Sequence, residues 1–217
     1  MNFMNKTKRM TETAVCLSIG VVLEVISQFI PFLSLPFGGS FTFGSMVPLV
    51  VISYRYGTKW GLFSGFIFSI LQMLTGMKTV TAFFMPSSDS YEGVTRAIFI
   101  CLLDYVIAFT LLGLAGLARG AKTPSKAMCI GSIIGLSARY VTHIVSGTIF
   151  FGTWAEWFFT QEGFYAFGSK IVENFSGISL SIIYSVFYNG LFMIPEIIIT
   201  AIIVSALGKI KTLAQKY

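Results

Sequence analysis

Five ionisable side chains lie inside apolar stretches of this sequence: Glu24, Asp104, Arg139, His143 and Glu196. Charge at membrane depth is costly, so such groups usually face a partner or a cavity and mark function. Arg139 and His143 are four residues apart, which puts them on one face of a helix, and Gly147 continues that face and leaves room beside it. Asp104 and Tyr105 are adjacent in a second apolar run, Tyr184, Tyr188 and Asn189 share a third, and Gln72 is a further polar companion. A carboxylate among aromatic rings suits a cationic, planar, heteroaromatic solute, through charge pairing and cation–π attraction. The amide of Asn189 and the imidazole of His143 can read ring nitrogens and an amino group. A plainer reading stands beside this one. Asp104 and Arg139 can be an ion pair tying two helices, His143 a satisfied interior histidine, and the tyrosines packing and interface anchors. Glu24 and Glu196 have no sharp role at this level, although Pro195 would kink the helix just before Glu196.

Other chemistries lack their residues. There is no GxxxxGK[ST] phosphate loop, no HExxH and no GxSxG. Cys16, Cys101 and Cys129 lie in or beside apolar runs without CxxC or Cys/His spacing, so they read as free buried thiols. The expectation is a protein that is not an enzyme and carries no cofactor or metal.

The elements that position these groups follow from composition. Of 217 residues, 55% are hydrophobic and 11% charged. Soluble domains carry about 25% charged residues, so this chain could not cover a water-facing surface. Apolar runs of about 20 residues, each enough for a hydrocarbon core of roughly 30 Å, recur along the chain. They predict an all-α integral membrane protein, one membrane domain over 1–217 with six transmembrane helices at about 11–30, 43–54, 60–76, 96–117, 127–151 and 178–207. The run after Lys6, Lys8 and Arg9 carries Glu24 and ends in Pro31 and Pro36, which reads as a span rather than a cleavable leader. Irregular chain is expected over 31–42, a polar segment over 79–93, and Pro48 inside the short second span.

Charge then sets orientation. Lys6, Lys8, Arg9, Arg55, Lys59, Arg119, Lys122, Lys126, Lys209, Lys211 and Lys216 fall on one side of a six-span arrangement. The opposite loops hold Lys78 and Lys170, with Asp89, Glu92, Glu156, Glu162 and Glu173. By the positive-inside rule both termini are cytoplasmic. The net charge of +6 therefore belongs to juxtamembrane anchors, and nucleic acid is excluded as a partner. The external stretch 152–177, with Trp154, Trp157, Phe158, Phe159, Phe164, Tyr165 and Phe167, reads as an interfacial aromatic belt, as a lid over an outward-facing pocket, or as both.

A family resemblance rests on motifs spread over nearly the whole chain. They are Thr-Glu-Thr-Ala at 11–14, Ser-Tyr-Arg-Tyr-Gly at 53–57, Leu-Asp-Tyr at 103–105 and Gly-Leu-Ala-Gly-Leu at 113–117. Arg-Tyr-Val-Thr-His at 139–143, Ser-Gly-Thr-Ile-Phe at 146–150, and Tyr184 with Asn189-Gly190 continue the series. In order and spacing the chain resembles the substrate-binding S components of energy-coupling factor (ECF) vitamin transporters, in their thiamine-specific branch. That resemblance implies a six-helix protein of the bacterial cytoplasmic membrane without its own motor. Such a protein captures a vitamin outside and docks on a transmembrane coupling subunit carrying two ATPase subunits. It implies docking through small residues on the first helix, matched here by Ala14 and Ser18, whose spacing allows close helix approach.

The resemblance also implies a thiamine pocket of Asp104, Tyr105, Arg139, His143, Phe151, Trp154, Tyr184 and Asn189. Asp104 would pair with the thiazolium. Tyr105, Tyr184, Phe151 and Trp154 would line the rings, His143 and Asn189 would bond the aminopyrimidine, and Arg139 would orient Asp104 or face the pocket. The chain departs from the family pattern at Gly39 and Phe43, where a tryptophan and a glutamate are usual, and has aspartate and arginine where glutamate and lysine are usual at 104 and 139. Two alternatives stay open: an S component for another vitamin or pyrimidine precursor, and an autonomous proton-coupled secondary transporter that uses Glu24, Glu196 and His143 as a relay.

Overall fold

The structure is a computed structural model that describes residues 3–30, 33, 41–88 and 90–217. The expectations at Pro31, Pro36, Gly39 and Asp89 lie outside the described residues, as do the side chains of residues 3–5, 165 and 166. All described secondary structure is helical: α1 (Phe3–Gln28), α2 (Val47–Tyr56), α3 (Thr58–Thr75), α4 (Met77–Phe84), α5 (Val94–Gly120), α6 (Pro124–Phe150), α7 (Ala155–Phe159), α8 (Tyr165–Asn174) and α9 (Gly177–Leu207).

Among the described residues four helices are long and apolar enough to cross a membrane: α1 from Lys6, α5, α6 and α9. A fifth span arises if α3 and α4, bent by 76° at Gly76, are taken together. The polar segment expected over 79–93 is thus helical in its first half. The expected span at 43–54 is the 10-residue α2. At about 1.5 Å per residue it is roughly 15 Å long, too short to cross alone. Every residue from Val47 to Arg55 is buried, so protein surrounds α2 on all sides. Pro48 does not kink it. The proline sits in the first turn, where its missing N–H removes no helical bond. At the start of α6, Thr123 accepts a hydrogen bond from the Lys126 N–H and Pro124 takes the first turn, as Thr-Pro at a helix start should.

The helix type changes along α5. Leu102–Ile107 is π-helical and Leu111–Gly120 is 3-10. The second change follows the sequence, since Leu-Leu-Gly, Leu-Ala-Gly, Leu-Ala-Arg repeats every three residues and a 3-10 turn holds three. The glycines of this repeat and of α3 let backbones meet. A Cβ on Gly113 would lie 2.1 Å from the Leu62 nitrogen of α3, and one on Gly65 would lie 2.5 Å from the Phe109 oxygen. Gly113→Ala is therefore expected to force α3 and α5 apart and to lower stability by about 3 kcal/mol. A wild-type thermal midpoint in detergent would rule this out.

One end of the bundle gathers the basic residues. There Arg55 pairs with Glu12 at 2.9 Å, Tyr56 also donates to Glu12, and Arg119 donates to the backbone oxygen of Arg55 at 2.9 Å. Tyr217 stacks on Tyr56 and its hydroxyl accepts from Lys8 at 2.7 Å. At the other end α7 packs inward. Phe158 and Phe159 are fully buried against Phe164 and Tyr184, whereas Trp154 and Trp157 stay about half exposed.

Candidate binding cavity

A cavity of about 700 Å³ opens between α1, the start of α2, α3, α5, α6 and α9, with α7 at its mouth. All eight residues expected of a pocket line it: Asp104, Tyr105, Arg139, His143, Phe151, Trp154, Tyr184 and Asn189. They come from different elements for local reasons. The π-helical stretch of α5 carries Asp104 and Tyr105, and such widened turns recur at functional sites. Arg139, His143 and Ser146 follow one face of α6. Tyr184, Tyr188 and Phe192 repeat every four residues on α9 and form an aromatic wall, with ring centroids 5.6 Å apart for the first pair and 6.3 Å for the second.

His143 is the centre of the polar side. Its Nδ1 lies 2.9 Å from Asp104 Oδ1, and Arg139 Nε donates to its Nε2 at 3.2 Å. Since Nε2 accepts, the hydrogen of a neutral ring sits on Nδ1 and is donated to Asp104. Ser146 donates to the other carboxylate oxygen at 2.8 Å. The direct Asp104–Arg139 ion pair of the plainer reading is absent among the described residues, because the imidazole stands between the two charges. Arg139 instead lies over the Phe109 ring, 4.3 Å from its centroid, with Nη1 3.4 Å from Met46 Sδ.

Ser146, His143 and Asp104 do not make a nucleophile. Activation needs the imidazole between serine and carboxylate, and here the carboxylate lies between the other two. Nor is there, among the described residues, a cluster of acidic, His or Cys side chains able to hold a metal ion. The arrangement can bind instead. It offers a carboxylate held by two neutral donors, aromatic walls, and an amide. The Asn189 Nδ2 donates to the oxygens of His143 and Ser185 at 3.2 and 2.8 Å, which leaves Oδ1 without a partner among the described residues. The room expected beside Gly147 is filled by these groups. A Cβ there would meet the Ser185 Oγ at 2.2 Å and the Asn189 Nδ2 at 3.1 Å.

Several lining residues stand outside the eight expected of the pocket. Tyr188 is one turn from Tyr184, a signal that its spacing carried. Glu24 and Glu196 announce themselves as charges in apolar runs, yet only the structure gives them partners. Glu196 is 2% exposed and accepts from the Thr42 N–H at 2.7 Å and its Oγ1 at 2.9 Å. Gln72 donates to Glu24 at 3.4 Å. Thr42 and Met46 line the cavity with no signal at all in the sequence. Phe43 is exposed and is not part of the wall.

A second feature lies on the outside of α1. Ala14 and Ser18 are exposed and, with Val15, Ile19, Val22 and Leu23, line a shallow groove of about 420 Å³. Thr13, Leu17 and Gly20 take the opposite, buried face.

Comparison with known proteins gives concordant findings. The profile of the family described as Thiamine transporter protein (Thia_YuaJ) matches residues 10–167. The thiamine transporter ThiT of Bacillus subtilis is 30% identical over 217 residues, covering 95% of this chain and 93% of that protein. ThiT of Lacticaseibacillus paracasei is 30% identical over 121 residues, covering 51% of this chain and 54% of its own. A solved structure of ThiT from Listeria monocytogenes superposes with a TM-score of 0.64 at 24% identity, covering 96% of this chain and 97% of that one, which supports a shared fold.

Proposed function

Because the chain belongs to the thiamine transporter family, we propose that it is the thiamine-binding S component of an ECF importer, without an ATPase of its own. The family is one of transporters rather than enzymes, and the chain is a multi-pass protein of the cytoplasmic membrane. The observation that carries the reading is Asp104, an acceptor on both oxygens to uncharged donors, inside an aromatic cavity. Its charge attracts the thiazolium cation. Tyr105, Phe151, Trp154 and Tyr184 line the rings, and the Asn189 Oδ1 accepts from the amino group of the pyrimidine. His143, with both nitrogens engaged, orients Asp104, and Arg139 holds the tautomer that lets it do so.

In this reading the chain is one membrane domain of six spans, with α2 as the short second span, α3 with α4 as the third, and both termini cytoplasmic. The small-residue groove of α1 receives the transmembrane coupling subunit, which carries two ATPase subunits. Tight capture is useful in such a machine, because release is driven by the partner's ATP hydrolysis. Purified protein titrated with thiamine is expected to show saturable quenching of tryptophan fluorescence, with Trp154 and Trp157 at the mouth, and a Kd of about 10⁻⁷ M or below. No response, checked by calorimetry, would move the ligand to another vitamin or pyrimidine precursor. The intramembrane acids Glu24 and Glu196 are what a proton-coupled carrier would use. Vesicles holding this chain alone are expected to take up no thiamine under a pH gradient, and uptake there would replace the motorless reading.

A further inference from the structure

We propose that Glu24 and Glu196 are specificity-determining residues: they offset the charge of Arg139 at the cavity floor, so that the charge of Asp104 is left to a cationic ligand. The inference rests on the thiamine reading above. Arg139, Asp104, Glu24 and Glu196 line the same cavity. Among the described residues Arg139 makes no direct ion pair. Its polar partners are the His143 ring and the Met46 sulfur, and its face lies on Phe109. Glu196, Glu24 and Asp104 are its acidic neighbours at longer range, where charges still act strongly in a medium of low dielectric constant.

Glu196 is fixed in place, and Glu24 is held more loosely. Both oxygens of Glu196 accept from Thr42, at 2.7 Å from its N–H and 2.9 Å from its hydroxyl, and Glu24 accepts from Gln72. Glu196, bonded on both oxygens, is not free to swing toward the ligand. Ionised, the two glutamates are counter-charges to Arg139. Among the described residues Asp104 is hydrogen-bonded to the neutral His143 and to Ser146, and neither bond cancels its charge. At the mouth Glu92 is already paired with Arg96 at 3.1 Å. Apart from the paired Glu92, three carboxylates among the described lining residues therefore share the cavity with one guanidinium, a negative surplus that a cation fills. With the two floor acids neutral, one carboxylate opposes one guanidinium and the preference for a cation vanishes.

The test uses the full chain in detergent, titrated with thiamine and with an uncharged analogue in which the ring nitrogen of the thiazolium is replaced by carbon. Glu24→Gln, Glu196→Gln and the double variant are compared with wild type. Glu196→Gln keeps an amide oxygen for the Thr42 N–H. The double variant is expected to lower the thiamine-to-analogue affinity ratio about tenfold or more, while analogue affinity stays within about threefold of wild type and so reports an intact cavity. If both ligands weaken in parallel, or the ratio does not move, the two glutamates are structural only and the proposal falls. Should the double variant not fold, Glu24→Gln alone carries the test, with a ratio lowered about threefold expected and an unchanged ratio overturning it. Wild-type protein that binds neither ligand would overturn the thiamine reading itself, before any variant is compared.

Discussion

Replacing Asp104 with alanine is expected to weaken thiamine binding by at least about 100-fold. Truncating one member of a buried, hydrogen-bonded charge pair costs about 3–5 kcal/mol, and each 1.4 kcal/mol is tenfold in affinity. Two losses combine here. The ligand's cation loses its counter-charge, and the His143 and Ser146 donors lose the acceptor that both now share. Asp104→Asn separates the two. Its amide oxygen can still accept from His143, so the ring keeps its place while the charge is gone. Calorimetry should then show Asp104→Asn falling nearly as far for thiamine as Asp104→Ala. If charge is not the point, the asparagine variant will bind like wild type. Unchanged affinity in the alanine variant would remove Asp104 from the site.

Enlarging the small residues of α1 is expected to do the reverse, abolishing transport and leaving capture intact. Ala14→Phe with Ser18→Phe would fill the groove that these two residues share with Val15, Ile19, Val22 and Leu23. Close helix approach in a membrane depends on small side chains, because lipid offers no hydrophobic drive to force bulky ones together. Two rings at this spacing hold a partner helix off the surface. The cavity is reached by α1 through Glu24 and Gln28 instead. The thiamine Kd should therefore stay within about twofold, while co-purification with the coupling subunit and uptake by cells both drop to background. A variant that still assembles and transports would show that docking uses another face.

The amino-acid sequence by itself determines that this is a membrane protein and roughly where its helices run. Hydropathy over about 20 residues is a local property, and α1, α3, α5, α6 and α9 begin and end within a few residues of the expected spans, apart from the earlier start of α1. The intramembrane polar residues are equally legible, because a charge in an apolar run stands out wherever its partner is. The face shared by Arg139 and His143 follows from helical spacing alone. Tertiary structure decided the rest. It set the imidazole between Arg139 and Asp104, where the residue types allowed a direct ion pair. It buried α2 on all sides, where the sequence predicted a short span with Pro48 inside it. It filled the space beside Gly147 with Ser185 and Asn189. It also joined Glu196 to Thr42 across 154 positions of chain. Helical periodicity says which residues share a face, but not which other helix that face meets. That depends on how several helices pack at once, with the glycine contacts of α3, α5 and α6 setting how closely they approach.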